Sequence, residues 1–340
     1  MTKQFRVAVV GATGAVGEAL LQCLHERKFP ISRLDVVASE RSAGTEVDFG
    51  RKQLVVQDVA GYDFSSTDIA LFSAGASVSA EHAIRAAEQG CVVIDNTSHF
   101  RRDESVPLVV AEVNPHALAG YQERNIIANP NCSTMQMLVA LAPIHRKFGI
   151  SRINVATYQS VSGAGRSAAE ELGQQTAAML RFQSVKPSKF PVQIAFNVIP
   201  HIDSFQDNGY TREEMKMVWE THRILEDDSI GVNPTAVRVP VFYGHSEAVH
   251  LETRSPATVE QVRQLMIEAP GVELVDERKE SGYPTPVTHA AGRDPVFVGR
   301  IRKDLSHSNG VNLWIVSDNI RKGAALNAVQ IAELLVNHHL

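Results

Sequence analysis

Residues 5–24, FRVAVVGATGAVGEALLQCL, constrain the fold more than any other stretch of this chain. Phe5 to Val10 make a Val-rich apolar run, the composition of a parallel strand buried on both faces. Gly11, Gly14 and Gly17 follow at three-residue spacing, and Ala19, Leu20, Cys23 and Leu24 then form an apolar helical stripe. Strand, glycine turn and helix in that order make a cradle for a pyrophosphate. The backbone has to turn tightly and approach the anion without side chains in the way, and amides at the helix N-terminus hold it. The spacing is GxxGxxG rather than GxGxxG. Gly11, Thr13, Gly14, Ala15 and Val16 are the expected contacts of a dinucleotide here.

A second strand, SRLDVVAS, ends about where an NAD enzyme carries the acidic residue that reads the ribose. This chain has Ser39, Glu40, Arg41 and Ser42. Arg41 between hydroxyls suits a 2′-phosphate and therefore NADP, whereas Glu40 would suit a free ribose hydroxyl and NAD. Two further strand–turn units, DIALFSAGAS and GCVVIDNTSHFRRD, bring Ser73, Gly75, Asn96 and Thr97 to the strand ends that border a ligand crevice. Arg101 and Arg102 lie just beyond and are candidates for binding an anion. The runs VPLVVAEVNPHAL and NIIANPNCST continue the alternation.

The bulk properties exclude several classes. A chain of 340 residues with 44% hydrophobic and 21% charged residues has room for two globular domains. A formal charge of −5 argues against nucleic-acid or membrane-surface binding, both of which need basic surfaces. No apolar run approaches the ~20 residues of a membrane helix. The N-terminus runs straight into the first strand without the apolar region of a signal peptide, so a cytoplasmic protein is expected. No metal is expected. Three cysteines, Cys23, Cys91 and Cys132, make a disulfide framework improbable in that setting. Cys23 and Cys91 sit in apolar patterns and read as buried small hydrophobes.

Cys132 is different. It is boxed by polar residues in ANPNCSTM, and from Ser133 onward STMQMLVALAPIHRKFG has apolar residues at 135, 137, 138, 141 and 142. That period ends in basic residues and Gly149, so it predicts a helix with Cys132 at its mouth. The helix dipole favours a thiolate there, and free amides of the first turn are expected to stabilise an oxyanion formed by its attack on a carbonyl.

GATGAVG, NPNCST, VSGAGR, RVPVFYGHSE and DNIRKGAALN occur in a fixed order across essentially the whole chain. Together they resemble the aspartate-β-semialdehyde dehydrogenase family. The resemblance implies NADPH-dependent reductive dephosphorylation of L-4-aspartyl phosphate to L-aspartate 4-semialdehyde, reversibly, in lysine, threonine and methionine biosynthesis. Cys132 would attack the acyl phosphate, and the resulting thioester would be reduced through a thiohemiacetal. His245 matches the acid/base histidine, and Gln159 the residue orienting the reacting group. Arg238 matches the arginine that pairs fork to fork with the α-carboxylate. Glu213 matches the glutamate on the α-amino group, chosen over Glu214 because the family spacing is E-x-x-K, and Lys216 a phosphate ligand. Arg101 matches the phosphate-binding arginine, with Asn131 beside the nucleophile. Ser162, Gly163 and Asn319 are expected near the cofactor, Asn319 also as the cap of the closing helix.

The expected fold is α/β: a Rossmann-like dinucleotide-binding domain, residues 1–131 and 319–340, and an α+β catalytic and dimerisation domain, residues 132–318, on a mainly antiparallel sheet. One face of that sheet would need covering, which implies a homodimer. Arg238 and His245 are seven residues apart, so an unbroken strand would put them on opposite faces. Sharing one site requires a break, expected at Gly244. The nearest rival reading is an N-acetylglutamyl-phosphate reductase, whose family usually has glycine before and an aromatic after the nucleophile, where this chain has Asn131 and Ser133. Another is a catalytically silent NADP-binding paralogue, which would be free to lose the nucleophile or the histidine.

Overall fold

The computed structural model describes residues 3–340, which form two compact units: the residues up to 130 together with 324–340, and residues 131–323.

The first unit runs β1 (Phe5–Val10), α1 (Ala15–Glu26), β2 (Ile31–Ala38), the hairpin β3 (Glu46–Phe49) and β4 (Lys52–Val55), β5 (Gln57–Asp58), β6 (Ile69–Phe72), α2 (Ala76–Val78), α3 (Ile84–Glu88), β7 (Val92–Asp95) and β8 (Ile126–Ala128). Its main sheet has the order β5-β2-β1-β6-β7-β8, parallel throughout. Strand order diverges on either side of β1, so the crevice at its carboxyl end, where Gly11 lies, is the topological switch point. Residues 106–113 form no strand; they contribute one bridge, Leu108 to Ala128. The Asn114 side chain takes over there, accepting from the Val110 amide at 2.9 Å and donating to the Leu108 carbonyl at 2.9 Å.

The second unit begins with α4 (Cys132–Phe148) and β9 (Ile150–Gln159), followed by α5 (Arg166–Leu180), α6 (Arg212–Leu225), β10 (Gly231–Arg238), β11 (His245–Thr253), α7 (Val259–Glu268), β12 (Val272–Leu274), β13 (Val296–Lys303) and β14 (Gly310–Ser317). The sheet order is β10-β9-β11-β14-β13-β12. The three central pairings are antiparallel and the two outer ones parallel. Pro234 sits in β10, an edge strand, where a missing amide costs least. Helix α4 packs against β9, β11, β13 and β14. The chain closes with α8 (Leu326–His338), which packs on α1 within the first unit, where Arg27 and Glu333 pair at 2.7 Å. Among the described residues no helix is long and apolar enough to cross a membrane.

The strand carrying Arg238 does stop before His245. β10 ends at Arg238, β11 begins at His245, and Gly244 between them has φ +88°, in the left-handed region that favours glycine. Residues 319–323, expected with the first unit, cluster with the second. The reason is Asn319, whose side-chain oxygen accepts from Ser160 Oγ, Ser162 Oγ and the Gly244 amide at 3.0–3.2 Å. Asn319 does not cap the closing helical segment. Asp318 does so, accepting from the amides of Ile320 and Arg321 at 2.8 and 2.9 Å.

Candidate active site

In the first unit, the glycine turn has the shape that a pyrophosphate requires. A Cβ on Gly11 would meet the Ser73 backbone at 2.8 Å, and one on Gly17 the Gly11 carbonyl at 2.1 Å, so both glycines are forced by close backbone packing. Gly14 is the N-cap of α1 and brings no side chain to it, which leaves the amides around Ala15 and Val16 without a side-chain cap. Thr13 Oγ1 lies 3.4 Å from Ser42 Oγ, joining the glycine turn to the 3₁₀ turn Glu40–Ser42 that follows β2. Ser39 and Arg41 are exposed there, as is Gly75, while Ser73 is half-buried with its hydroxyl on the Val10 carbonyl. These residues fit a dinucleotide. Arg101 is held by two strand-end carbonyls, Asn96 and Asn129, each at 2.8 Å.

In the second unit, Cys132 is the first residue of α4 and is partly exposed, whereas Cys23 and Cys91 are fully buried. Burial also pushes the Cys91 thiol far up, so it is inert. Asn131 is the N-cap: its side-chain oxygen accepts from the Ser133 and Thr134 amides at 3.0 and 3.3 Å. This corrects the expectation that first-turn amides serve as an oxyanion hole, because Asn131 already occupies two of them. Its amide nitrogen donates to Glu213 Oε1 at 2.9 Å, and its backbone N–H to Glu220 at 2.6 Å. Gly323 lies on the other side of the cysteine, where a Cβ would come within 2.7 Å of Cys132 Cβ.

Gln159, the last residue of β9, donates to Ser133 Oγ at 2.9 Å and to Glu213 Oε1 at 3.2 Å. Glu213 is thus reached by Asn131, Gln159 and Lys216, the last at 2.9 Å from Oε2. Burial opposes its charge, but the Lys216 charge and the hydrogen bonds from Asn131, Lys216 and Gln159 prevail and hold its carboxyl down to about 2. Glu214, one residue on, faces elsewhere. It closes the capping box of α6 with Thr211 and accepts from the Ala236 amide. Lys216 has a second carboxylate partner, Asp203, at 2.8 Å.

Arg238 is buried and donates to the Ser160 carbonyl at 2.7 Å. Burial pulls its guanidinium below the ordinary arginine range, only partly offset by Glu213 and Cys132. A Cβ on Gly163 would lie 3.0 Å from Arg238 Nη1 and 3.2 Å from His245 Nε2, so Gly163 is the floor on which the two side chains converge. His245 is fully buried, and its Nδ1 receives the Ser160 backbone N–H at 3.1 Å. An amide can only donate, so the neutral ring carries its proton on Nε2, which has no protein partner. Burial first, then the Arg238 charge, hold the imidazole down to about 3. Ser160 Oγ is also 3.0 Å from Nδ1 and donates to Asn319, which leaves a lone pair ready for an Nδ1 proton if the ring becomes charged.

The second unit therefore brings Cys132, Asn131, Gln159, Glu213, Lys216, Arg238 and His245 together, with Ser162 and Gly163 beneath them. Sequence reasoning missed Ser160, Gly323 and Asp203. Ser160 follows Gln159 directly, and that adjacency is the one signal that pointed to it.

Residues 6–121 match the family model described as semialdehyde dehydrogenase, NAD binding domain, and residues 141–322 match semialdehyde dehydrogenase, dimerisation domain. The aspartate-semialdehyde dehydrogenase of Shewanella sp. (strain DB6705) is 60% identical, with 100% of each chain covered. Aspartate semialdehyde dehydrogenase II of Vibrio cholerae, solved in complex with ASA, is 58% identical, covers 100% of both chains and superposes with a TM-score of 0.98. The Candida albicans aspartate semialdehyde dehydrogenase, solved with NADP, is 25% identical over 98% of each chain, with a TM-score of 0.75. With both family domains in order and full-length relatives at this identity, the chain belongs to the aspartate-semialdehyde dehydrogenase family.

Proposed function

We propose that this chain catalyses the NADPH-dependent conversion of L-4-aspartyl phosphate to L-aspartate 4-semialdehyde and its reverse, with Cys132 as the covalent nucleophile. The observation that carries this reading is Cys132 at the first turn of α4, amid Gln159, Glu213, Arg238 and His245. The relatives' names support the substrate, as does the ASA complex of the Vibrio cholerae enzyme, which we take to be the aldehyde itself. They give no support to an N-acetylated substrate or a silent paralogue.

Cys132 Sγ attacks the acyl carbon, forming the C–S bond as the bond to phosphate breaks. NADPH, when bound, supplies the hydride that reduces the thioester; the Candida albicans relative was solved with NADP. Gly11, Thr13, Gly14, Ala15 and Val16 are assigned to the pyrophosphate side, Ser39, Arg41 and Ser42 to the 2′-phosphate, and Ser73, Gly75, Ser162 and Gly163 to the remaining contacts. Gln159 orients the reacting acyl group beside the thiol. His245 Nε2 aims at the oxygen that becomes an alkoxide and protonates it as the thiohemiacetal forms. Pairing Arg238 with the substrate's α-carboxylate removes one of the two causes that keep the imidazole neutral; the ring's second proton is the one Cys132 gives up on becoming a thiolate, and Ser160 Oγ accepts from Nδ1 in place of the Ser160 N–H contact. The reverse direction takes the same proton back. Glu213 receives the α-ammonium, while Lys216 and Arg101 are assigned to phosphate. Asn319, with all three described donors coming from Ser160, Ser162 and Gly244, is assigned to holding His245.

The outward face of the second sheet carries Tyr158, Ala248, His250 and Trp314, with Tyr158 and Trp314 rings 5.6 Å apart. Given the match to a dimerisation domain, we assign this face to the homodimer contact. We also place the enzyme in the cytoplasm. The test is phosphate-dependent oxidation of aspartate semialdehyde with NADP. Wild type should turn over and Cys132→Ala should lose at least about a thousandfold in kcat, as expected when a covalent nucleophile is removed. Full activity in that variant would sink the mechanism.

A further inference from the structure

We propose that Asp203 is a positioning residue for phosphate: it holds Lys216 while phosphate is absent and recaptures it as phosphate leaves, which keeps phosphate releasable. The inference rests on the functional reading above, in which Lys216 binds phosphate.

Asp203 is placed by two anchors. Upstream, Ile199 pairs with Arg238 through reciprocal backbone bonds of 2.9 and 2.8 Å. Downstream, Phe205 bridges Thr211, the N-cap of α6, and the Arg212 amide donates to the Ser204 carbonyl at 2.7 Å. The loop thus spans from the strand end bearing Arg238 to the helix bearing Glu213 and Lys216. Asp203 itself has φ +69°, which an aspartate tolerates better than most side chains. One carboxylate oxygen accepts from the Ser204 amide at 2.8 Å and the other from Lys216 Nζ at 2.8 Å. Burial works against its charge, but Lys216 outweighs this and keeps the carboxyl below its ordinary range, so it is ionised at neutral pH.

The two carboxylates on Lys216 are not equivalent. The Glu213 side chain is 8% exposed and bonded by three residues, whereas Asp203 is 33% exposed. Releasing Asp203 to water costs little; releasing Glu213 would strand a buried charge. Lys216 and its two carboxylates sum to one negative charge. An incoming substrate brings an ammonium for Glu213 and a phosphate for Lys216. Asp203 is then the group left facing a dianion, and it turns outward. When phosphate departs, the same carboxylate returns to the ammonium. Lys216 stays in register throughout, because Glu213 holds it at i, i+3.

Asp203→Asn keeps the side-chain shape and the tolerance for positive φ but removes the charge. Asp203→Gly removes the carboxylate at a backbone angle glycine also accepts, and serves if the first variant fails to fold. Either should lower the phosphate KM for aspartate semialdehyde oxidation about three- to tenfold, the effect of one partly screened charge. Phosphate should inhibit the reductive direction more strongly by the same factor, with little change in the KM for the aldehyde. A phosphate KM that is unchanged or raised would overturn the inference while leaving the functional reading intact, provided wild type shows phosphate-dependent oxidation. If wild type shows none, the reading itself falls and takes this inference with it.

Discussion

Replacing Glu247 by Gln should stabilise the protein, and increasingly so as pH rises. Glu247 is the third residue of β11, paired between Thr157 of β9 and Ile315 of β14, and is 0% exposed. Neither carboxylate oxygen has a hydrogen-bond partner, and Gln136 of α4 offers a weak polar contact short of that geometry. Burial pushes this carboxyl well above the ordinary glutamate range, so the folded protein keeps it protonated. The sign follows from linkage. Below about pH 4.3 both folded and unfolded chains hold the proton, and there is no penalty. Above it the unfolded chain ionises while the folded one does not, so stability falls by about 1.4 kcal/mol per pH unit until the folded value is reached. A proton held through pH 7 therefore costs up to about 4 kcal/mol, which glutamine of the same size and no charge removes. Thermal unfolding of both proteins from pH 4.5 to 7.5 reads the difference. The Tm gain of E247Q should be near zero at the acid end and reach several degrees at pH 7, with about 10 °C as a ceiling. Parallel Tm curves would refute the claim that this carboxyl is held neutral. Glu247 lies two residues after His245 on the same face of β11, but no catalytic side chain bonds to it, so turnover should persist.

Two further substitutions probe the site. Asn319→Ala removes the acceptor shared by Ser160, Ser162 and Gly244. We expect about a tenfold fall in kcat with little change in the KM for NADP, and a rise in that KM alone would return Asn319 to the cofactor. Arg41→Ala should raise the KM for NADP at least about tenfold and that for NAD far less, the loss of a charge-assisted bond to a 2′-phosphate. Equal effects on the two cofactors would exclude Arg41 from reading that group.

Local pattern carried much of this protein into view. Gly11, Gly14 and Gly17 at fixed spacing between an apolar run and a helical stripe specify a strand–turn–helix cradle, because its turn and helix start are built from neighbouring residues; only the close approach of the Ser73 backbone to Gly11 comes from the folded sheet. Cys132 is legible as a helix start for the same reason: a cap residue precedes it and an apolar period follows. The three-residue spacing of Glu213 and Lys216 puts them on one face of any helix, and Gly244 was marked as a break by the parity of a strand. Other features depend on partners distant in sequence. Asn131 spends its side-chain oxygen on the amides behind Cys132, which removes the oxyanion hole that a bare helix terminus promised. Ser160 and Asn319 are 159 residues apart and hydrogen-bonded, and the Ser160 backbone N–H, 85 residues from His245 in sequence, determines which imidazole nitrogen carries the proton. Glu214 closes a capping box and Glu213 faces the nucleophile, a difference of one position settled by where α6 meets β10. Asp203 reaches Lys216 only because its loop is pinned at both ends. Periodicity can say which residues share a face; which faces meet, and at what register, is decided when the sheet of the second unit pairs β9, β10 and β11, and the protonation of the site follows from that pairing.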